Sequence, residues 1–374
     1  MSPRDTLRNP RGLVDAGLIA PEAEQRLQAV AARYAIAVPP VLADLIDRSN
    51  PNDPIARQFV PDAAELQVRP EELADPIGDA AHSPVEGIVH RYPDRVLFKV
   101  THVCAVYCRF CFRREMVGPG KGAGLSRETH ARALDYIASH PEIWEVILTG
   151  GDPLVLSPRR LRAIMRDLAA IPHVKILRVH TRAPIADPAR ITPELVRALK
   201  LTGKPTYVAV HVNHARELSV QARAALAQIT DAGLPLLGQS VLLKGVNNTP
   251  KALEDLMRAL VEAGVKPYYL HHPDLAPGTS HLRVGIKQGQ SLVRSLRGRV
   301  SGLCQPTYVL DIPGGYGKVP IAPNAVRDTS EGTFLIEDNR GRQHKYPAIG
   351  KSGAANAATS SRLARRRPPV PRTR

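Results

Sequence analysis

Three cysteines stand close together in the chain, directly after an apolar segment that is typical of a β-strand. They are Cys104, Cys108 and Cys111, spaced C-x3-C-x2-C, and an aromatic residue, Phe110, precedes the last of them. Thiolates are soft ligands that bind zinc, copper and iron–sulfur clusters. Three thiolates on one short loop, without a fourth nearby, indicate a metal centre with one open coordination position. Chemistry at such a centre takes place at the open position.

Two other roles for these cysteines must be weighed against an iron–sulfur cluster. A structural zinc site usually has two ligand pairs a dozen or more residues apart, and the nearest additional candidate ligand is His102. A disulfide framework is less favoured, because four cysteines in 374 residues without a signal peptide are typical of a reduced, cytoplasmic protein. A cluster held by three cysteines leaves its fourth iron free to bind a further molecule.

The residues around the cysteines resemble a known enzyme family. The C-x3-C-x2-C set with its aromatic residue resembles the signature of the radical S-adenosylmethionine (SAM) enzymes. Three segments narrow the resemblance to the lysine 2,3-aminomutases: H-R-Y-P-D-R-V at 90–96, C-R-F-C-F-R-R at 108–114 and T-G-G-D-P-L at 149–154. The resemblance covers roughly residues 50–324. It implies an isomerase that moves the α-amino group of L-lysine to the β-carbon, giving β-lysine.

The resemblance also implies two cofactors at the cysteine loop. The three cysteines would bind a [4Fe-4S] cluster, and SAM would bind the fourth iron through its amino and carboxylate groups. A reductant protein such as flavodoxin or ferredoxin would supply the electron that cleaves SAM into a 5′-deoxyadenosyl radical. A glycine pair after a strand is by itself commonly just a turn. In the family, however, the segment along the SAM amino group corresponds to Thr149, Gly150, Gly151 and Asp152.

A lysine in a glycine-rich segment is the second candidate for chemistry. Lys318 ends the sequence D-I-P-G-G-Y-G-K at 311–318, and such a lysine is ordinarily a surface charge. The family's D-x-P-G-G-x-G-K segment implies instead that Lys318 binds pyridoxal 5′-phosphate (PLP) as a Schiff base. That reaction needs a free amine, which partial burial favours. Arg91, Tyr92 and Arg95 match the positions that hold the PLP phosphate in the family.

Three further residues are expected to choose the substrate. Asp274 and Asp311 match the two aspartates that hold the distal ammonium of lysine in the family, and Arg113 matches the arginine that pairs with the substrate carboxylate. Taken alone, the two acids are also consistent with a metal site or an acid–base pair. An enzyme acting on glutamate would need a different charge at this point, so the acids favour lysine.

The chain departs from the clostridial-type pattern at two places. His271 and His272 stand where those enzymes have a tyrosine and a glutamine before the first aspartate. The C-terminal cysteines that bind zinc in those enzymes are absent, so the remaining cysteine, Cys304, is expected to be a buried core thiol. We expect a homo-oligomer, but without that zinc site the form of its interface stays open.

Alternating strands and helices are expected to position these groups. Apolar runs predict strands at 96–101, 145–149, 175–180, 207–212, 236–243 and 267–271. Helices are predicted after the N-cap residues Ser126, Ser157, Thr192 and Thr249. Six β-then-α units in series favour an α/β fold with a parallel sheet, a partial (β/α)6 TIM-like barrel. Catalytic groups of such barrels lie at the C-terminal ends of the strands, where this sequence has the cysteines, His180, His211 and His271.

The rest of the chain is interpreted as additions to this barrel. Residues 1–88 read as an N-terminal helical cap, with helices at 21–35 and from 41, and residues 89–322 as the radical SAM core with the PLP-lysine segment. Residues 323–349 are expected to form a C-terminal hairpin extension, with its turn at 338–341. Residues 350–374, which lack apolar periodicity, are expected to be a disordered basic tail.

The net charge of the chain is also consistent with a different class of protein function. The net charge is +16, and the tail accounts for +7 of it through Lys351, Arg362, Arg365, Arg366, Arg367, Arg372 and Arg374. The charge raises the alternative of an iron–sulfur protein that binds or modifies RNA. Within the resemblance, a second alternative is an enzyme that makes β-lysine for modification of translation elongation factor P. No apolar run is long enough to cross a membrane, so no membrane contact is expected.

Overall fold

A nine-stranded sheet forms the centre of the fold. In this computed structural model, which describes residues 5–118, 124–201, 203–329 and 333–347, the strands follow one another in chain order across the sheet. They are β1 Ile88–Tyr92, β2 Arg95–Thr101, β3 Glu145–Gly150, β4 Ile176–Thr181, β5 Thr206–His211, β6 Leu236–Val241, β7 Val265–His271, β8 Thr307–Ile312 and β9 Gly317–Pro320. Strands β2 to β8 are parallel, and β1 and β9 pair antiparallel at the two edges.

The sheet curves into the partial barrel that the sequence predicts. All six predicted strands are present, as β2 to β7. The two edges come together, because the backbone N–H of Lys318 in β9 donates to the hydroxyl of Tyr92 in β1 at 2.6 Å. This contact brings residues 226 positions apart in the chain to the same side of the barrel mouth.

The last two strands of the sheet lie where the sequence suggested a glycine-rich loop at 310–320. Gly314 and Gly315 form the turn between β8 and β9, where they have φ of 87° and 88°, and Gly317 is the first residue of β9. In that region L-residues with a side chain are strained. Strand β8 therefore adds a seventh parallel strand, and β9 returns Lys318 towards the barrel opening.

Helices cover the outside of the sheet and begin at the predicted capping residues. Ser126, Ser157, Thr192 and Thr249 each accept a hydrogen bond from the backbone N–H three residues on. The helices are α1 Pro10–Asp15, α2 Glu24–Arg33, α3 Pro40–Asp44, α4 Ala56–Phe59, α5 Arg127–Ala138, α6 Pro158–Ala169, α7 Ala183–Ala186, α8 Pro193–Lys200, α9 Val220–Asp231, α10 Pro250–Glu262 and α11 Ile286–Leu296. No helix in the described ranges is long and apolar enough to cross a membrane.

The core lies between the sheet and these helices. Strand residues such as Phe98, Leu148 and Val179 are fully buried, and helix residues such as Leu161 and Leu256 pack against the same cluster. Burial of this apolar surface is the main favourable term for the fold. The predicted core thiol, Cys304, is buried in the same cluster.

The chain divides into two compact units, residues 1–323 and 324–374. The second unit contains a separate antiparallel sheet of β10 Val326–Asp328, β11 Thr333–Glu337 and β12 Gln343–Pro347. Strands β11 and β12 pair in the segment where the sequence predicts a hairpin, with the turn between them at 338–342. The predicted basic tail at 350–374 lies outside the described residues.

We predict that Gly151 cannot carry a side chain. An added Cβ would overlap the backbone of Val103, so Gly151→Ala must move the cysteine loop away from β3. Overpacking of this kind typically lowers the free energy of unfolding by about 1–3 kcal/mol, measurable by urea denaturation. Gly302→Ala is the matched control, because nothing lies within 4 Å of the added Cβ there. Equal effects of the two substitutions would contradict the prediction.

Candidate active site

The cysteine loop, residues 102–118, leaves the C-terminal end of β2 and carries the three predicted cluster ligands. Cys104, Cys108 and Cys111 are all free of disulfide bonds. Burial raises the pKa of each thiol, and that of Cys111 reaches about 11. The metal-free side chains are therefore neutral thiols, and bound iron would supply the positive charge that stabilises thiolates.

The arrangement of possible metal ligands bears on the type of centre. Within the described ranges, no three His, Cys, Asp or Glu side chains converge as ligands of a single ion do. All three cysteines border one small cavity behind the loop. The cysteines of a [4Fe-4S] cluster each bind a different iron atom. The three thiols therefore lie near enough together to be considered as ligands of one cluster.

A buried carboxylate outside the barrel strands holds the cysteine loop in place. Glu65 is fully buried and accepts hydrogen bonds from Arg109, at 2.9 Å from Nε to Oε1, and from Arg114. Burial would raise the pKa of Glu65, but the two guanidinium groups outweigh it and hold the pKa below its usual value. Both arginines belong to the loop, so Glu65 anchors it on either side of Cys111.

A second buried cluster reaches one of the cysteines directly. Arg182, at the end of β4, donates to the Sγ of Cys108 at 3.2 Å and to Oε1 of Gln58 at 2.9 Å, and it pairs with Glu217. Gln58 and Glu217 are fully buried. A guanidinium at this point stabilises negative charge on the Cys108 sulfur, which favours the thiolate that iron requires.

One cavity of about 680 Å³ opens beside the cysteine loop and collects most of the predicted site residues. Its walls come from residues along the strands of the sheet, including Arg95, Glu145 and Thr307 at the N-terminal ends of β2, β3 and β8, and from the cysteine loop. Among the predicted residues, the lining includes Arg91, Tyr92, Arg95, Cys108, Cys111, Arg113, Thr149, Asp274, Asp311 and Lys318. Cys104, Gly150, Gly151 and Asp152 are outside this lining, and Cys104 borders a smaller cavity behind the loop with Cys108 and Cys111.

Lys318 lies in the cavity between an acid and a histidine. Its Nζ pairs with the carboxylate of Asp311, directly opposite in the β8–β9 pair, and lies 3.3 Å from Nδ1 of His271. Burial would raise the pKa of Asp311, but the charge of Lys318 and the hydrogen bond from its Nζ hold it well below its usual value. Asp311 is therefore ionised and already has a cationic partner.

Asp274 lies in the same cavity with part of its carboxylate unpartnered. Its Oδ1 is buried and has no hydrogen-bond partner among the residues that the structure describes. Burial, with the nearby charge of Asp311, raises the pKa of Asp274 to about 7. A positive ligand group near Oδ1 would stabilise the ionised form.

Arg91 and Arg113 share one buried acid. The carboxylate of Asp79 accepts a hydrogen bond from Nη2 of Arg91 through one oxygen and from Nη2 of Arg113 through the other, both at 3.0 Å. Arg91 also donates to the carbonyl of Ile77 at 2.6 Å, while its Nε is buried without a partner in the described part of the chain. Asp79 thus fixes both arginines at the edge of the cavity.

Tyr92 and Arg95 lie next to this pair on β1 and β2. The guanidinium carbon of Arg95 lies 3.8 Å from the centre of the Tyr92 ring, and Arg95 pairs with Asp94 at 2.6 Å. The Tyr92 hydroxyl accepts a hydrogen bond from the backbone N–H of Lys318. Of the three predicted phosphate-binding residues, Tyr92 contacts the strand that carries Lys318, and Arg91 and Arg95 line the same cavity.

The segment after β3 packs tightly against the cysteine loop. The Asp152 carboxylate accepts hydrogen bonds from the Thr181 hydroxyl and the Arg182 backbone N–H, both at 2.7 Å. The backbone N–H groups of Gly151 and Asp152 donate to the carbonyls of Thr101 and Val103. Of the four residues predicted to lie along SAM, Thr149 lines the cavity; the Asp152 side chain is used by the protein itself.

Several residues of the site were not found from the sequence. A role for Asp79, Glu65 and Glu217 is not predicted by the sequence, because single acids in polar segments form no recognisable motif. Gln239 and Tyr269 also line the cavity. Both lie inside predicted strands. Alternation along a strand could have identified them, because each is two positions from another residue that lines the cavity. His180, His211 and His271 line the cavity at the strand ends where the sequence predicts functional groups.

We predict that Asp79→Ala strongly destabilises the protein. The substitution leaves Arg91 and Arg113, whose side chains are 10% and 11% exposed, without their shared counter-charge. Breaking a buried pair typically costs about 3–5 kcal/mol, which urea denaturation would detect. The control is Asp255→Ala, whose partner Lys251 is 79% exposed and whose effect should stay below about 1 kcal/mol. Similar losses for both variants would refute the prediction.

Comparison with known proteins gives the family. A family model described as "Radical SAM superfamily" matches residues 98–279, and another described as "Lysine-2,3-aminomutase" matches residues 293–360.

Relatives match over most of the chain. L-lysine 2,3-aminomutase of Clostridium subterminale is 41% identical over 306 residues, which cover 82% of this chain and 73% of the relative. L-lysine 2,3-aminomutase of Acetoanaerobium sticklandii is 39% identical over 323 residues, covering 86% and 78%. Glutamate 2,3-aminomutase of Clostridioides difficile is 36% identical over 313 residues, covering 84% and 73%. The chain therefore belongs to the radical SAM lysine 2,3-aminomutase family and is an isomerase of the aminomutase type, for which the radical SAM family implies a [4Fe-4S] cluster and SAM.

Proposed function

We propose that this aminomutase converts L-lysine to β-lysine and that it uses PLP bound to Lys318. The observation that carries the substrate is the buried, unpartnered Oδ1 of Asp274 in the cavity shared with Lys318. A buried charge without a partner is costly, so this position favours a ligand with a positive group. The ε-ammonium of lysine is such a group.

Glutamate is the main competing substrate, because one of the relatives is a glutamate 2,3-aminomutase. Its side-chain carboxylate would lie near two acids, Asp274 and Asp311, and like charges repel strongly in a desolvated site. Arg113, on the cysteine-loop side of the cavity, is a suitable partner for the α-carboxylate that both substrates share. The distribution of charge therefore supports lysine. Membership of an aminomutase family also favours this function over the RNA-modifying alternative.

The surroundings of Lys318 support a covalent PLP site. Its amine faces a cavity of a size that holds a cofactor together with a small substrate. Arg91 and Arg95 offer guanidinium groups to a phosphate, and the Nε of Arg91 is a buried donor without a described partner. Five N–H donors allow a guanidinium to keep its bond to Asp79 and still bind an anion.

The ion pair between Lys318 and Asp311 suggests an order of binding. As long as Lys318 carries no cofactor, its own ammonium group pairs with the Asp311 carboxylate. A covalent bond to PLP would draw the Lys318 nitrogen towards the cofactor and end its pairing with Asp311 as a free ammonium. Asp311 then becomes available, with Asp274, for the ε-ammonium of the substrate. PLP would accordingly bind before lysine.

In the proposed reaction the protein positions groups and excludes water. When bound, the cluster and SAM supply a radical that removes hydrogen from the substrate, and PLP supplies the conjugated system that stabilises the substrate radical. Arg113 and the two acids would fix the substrate at both ends, which holds its β-carbon at one place. The apolar lining residues Val89, Val96 and Val309 limit access of solvent.

Partners of the enzyme follow from the same proposal. A radical SAM enzyme needs a reductant, for which we propose a protein such as flavodoxin or ferredoxin. Assembly into a homo-oligomer stays a prediction that light scattering can test. A role in modification of elongation factor P would show as a changed mass of that factor in a deletion strain.

The proposed function predicts turnover of lysine by anaerobically reconstituted protein with SAM and a reductant. β-Lysine should form, identified by mass, and glutamate should not react. Lys318→Ala should lose both the product and the absorbance of bound PLP, because the attaching amine is gone. Lys251→Ala, which removes an exposed lysine 79% accessible to solvent, should keep both. Turnover of glutamate but not lysine would overturn the proposal.

The raised pKa of Asp274 predicts a pH dependence of substrate binding. Its carboxylate is mostly neutral below pH 7 and ionised above it, whereas the ε-ammonium of lysine stays charged. The KM for lysine should therefore fall by about tenfold between about pH 6 and about pH 8. Asp274→Asn should show a high KM that is flat over this range, and Asp255→Asn should keep the wild-type profile. A flat wild-type profile would show that Asp274 does not bind the substrate cation.

A further inference from the structure

We propose that His271 is a catalytic residue that takes the ammonium proton of Lys318 and so converts this side chain into a reactive amine. The inference rests on the proposed role of Lys318 as the PLP lysine. His271 is the last residue of β7, and its Nδ1 lies 3.3 Å from Nζ of Lys318. The same Nδ1 lies 3.7 Å from the Asp311 carboxylate that pairs with Lys318.

The chemistry of the contact fixes the protonation of the ring. A lysine ammonium has only donors, so Nδ1 of His271 must accept the hydrogen bond. The ring is then neutral, with its hydrogen on Nε2. This is the form that is able to accept a proton at Nδ1.

Charged neighbours maintain this neutral form. Burial lowers the pKa of His271, and the ammonium of Lys318 lowers it further, whereas Asp311 acts in the opposite direction. The other titratable groups that line this part of the cavity are His180, His211, Asp274 and Tyr269. The pKa values of His180 and His211 are also lowered, by burial first, so these two rings add no positive charge.

Proton transfer from Lys318 to His271 leaves the total charge of the group unchanged. Before transfer, the ammonium of Lys318 faces the Asp311 carboxylate and a neutral His271. After transfer, Lys318 is a neutral amine and the imidazolium of His271 faces the same carboxylate. Asp311 keeps a cationic partner throughout, which limits the cost of the step in a buried site. Loss of the Lys318 charge also removes the repulsion that lowers the pKa of His271.

The second ring nitrogen of His271, Nε2, is the atom from which the proton would leave the ring. Nε2 of His271 is buried and has no hydrogen-bond partner in the described ranges. His271 lines the cavity, so a rotation of the ring that exposes Nε2 would bring this hydrogen to a ligand oxygen or a water molecule bound there. Acceptance at Nδ1 and release at Nε2 leave the ring neutral with its hydrogen on Nδ1, next to the Asp311 carboxylate.

Asp311 is the competing proton acceptor, and its surroundings argue against it. Despite burial, the charge of Lys318 and the hydrogen bond from its Nζ hold the pKa of Asp311 well below the usual value. A neutral Asp311 would also leave the histidine without its counter-charge. The carboxylate is therefore a stabiliser of the ion pair, and the imidazole is the base.

The test measures how fast PLP binds to cluster-reconstituted protein from which PLP has been removed. Covalent binding is followed by its absorbance change over a range of pH. His271→Gln keeps an acceptor beside Lys318 but cannot be protonated. It should slow binding at neutral pH by about 100-fold or more, with the same final amplitude. The deficit should shrink as the pH is raised, because hydroxide then removes the ammonium proton without help from the histidine.

A control and a rescue separate this role from a structural one. His272→Gln changes the neighbouring histidine, which hydrogen-bonds to Tyr308 at 2.8 Å, and should leave the rate within about twofold. In His271→Ala, added free imidazole should increase the rate of covalent PLP binding. Imidazole replaces the missing base but does not replace any structural contact of the His271 side chain.

Two outcomes would overturn the inference at different levels. A wild-type rate and pH profile in His271→Gln, or no rescue of His271→Ala by imidazole, would refute the role of His271 alone. Failure of the wild-type protein to bind PLP would refute the proposed function and this inference with it.

Discussion

The cysteine loop depends on one buried carboxylate, that of Glu65. Arg109 and Arg114 stand on either side of Cys111, and both donate to this side chain. A loop that holds a metal cluster cannot rely on regular secondary structure, so its shape must come from side-chain bonds that water does not weaken. Burial makes these bonds strong and also makes them obligatory, because either arginine alone would be an unpaired charge in the interior.

The same device occurs twice more around the cavity. Asp79 holds Arg91 and Arg113, and Glu217 with Gln58 holds Arg182 against Cys108. In each case an acid cancels most of the cost of burying a guanidinium, yet the planar group keeps donors for another partner. The enzyme needs positive charge where a phosphate and a substrate carboxylate are proposed to bind, and beside the cysteine sulfurs that are proposed to ligate iron as thiolates. Acids from the N-terminal region, Glu65 and Asp79, and from the loop after β5, Glu217, make that charge tolerable in the empty protein.

At Lys318, the proposed function involves an exchange of charge. Asp311 pairs with Lys318 and lies next to His271, while Asp274 keeps a carboxylate oxygen without a described partner. In the proposed function, a covalent bond to Lys318 would remove one cation and the substrate would bring another. The number of positive and negative groups in the pocket would then stay balanced through cofactor and substrate binding. In the protein without cofactor, the pair of Lys318 with Asp311 lowers the cost of burying these charges.

The sequence by itself determined the cysteine motif, the six strands β2 to β7, the helix caps and the segment of Lys318, because each is written in neighbouring residues. Spacing on one loop, apolar runs and N-cap side chains act over a few positions, and the family resemblance rests on such segments. The tertiary structure decided what the arginines and acids do. Asp79 meets Arg113 across 34 residues, Glu65 meets Arg114 across 49, and Tyr92 meets Lys318 across 226. Only closure of the barrel brings these groups together, and no local pattern encodes a contact of that kind. For the same reason β8 and β9 looked like a loop: their pairing partners are supplied by the folded sheet.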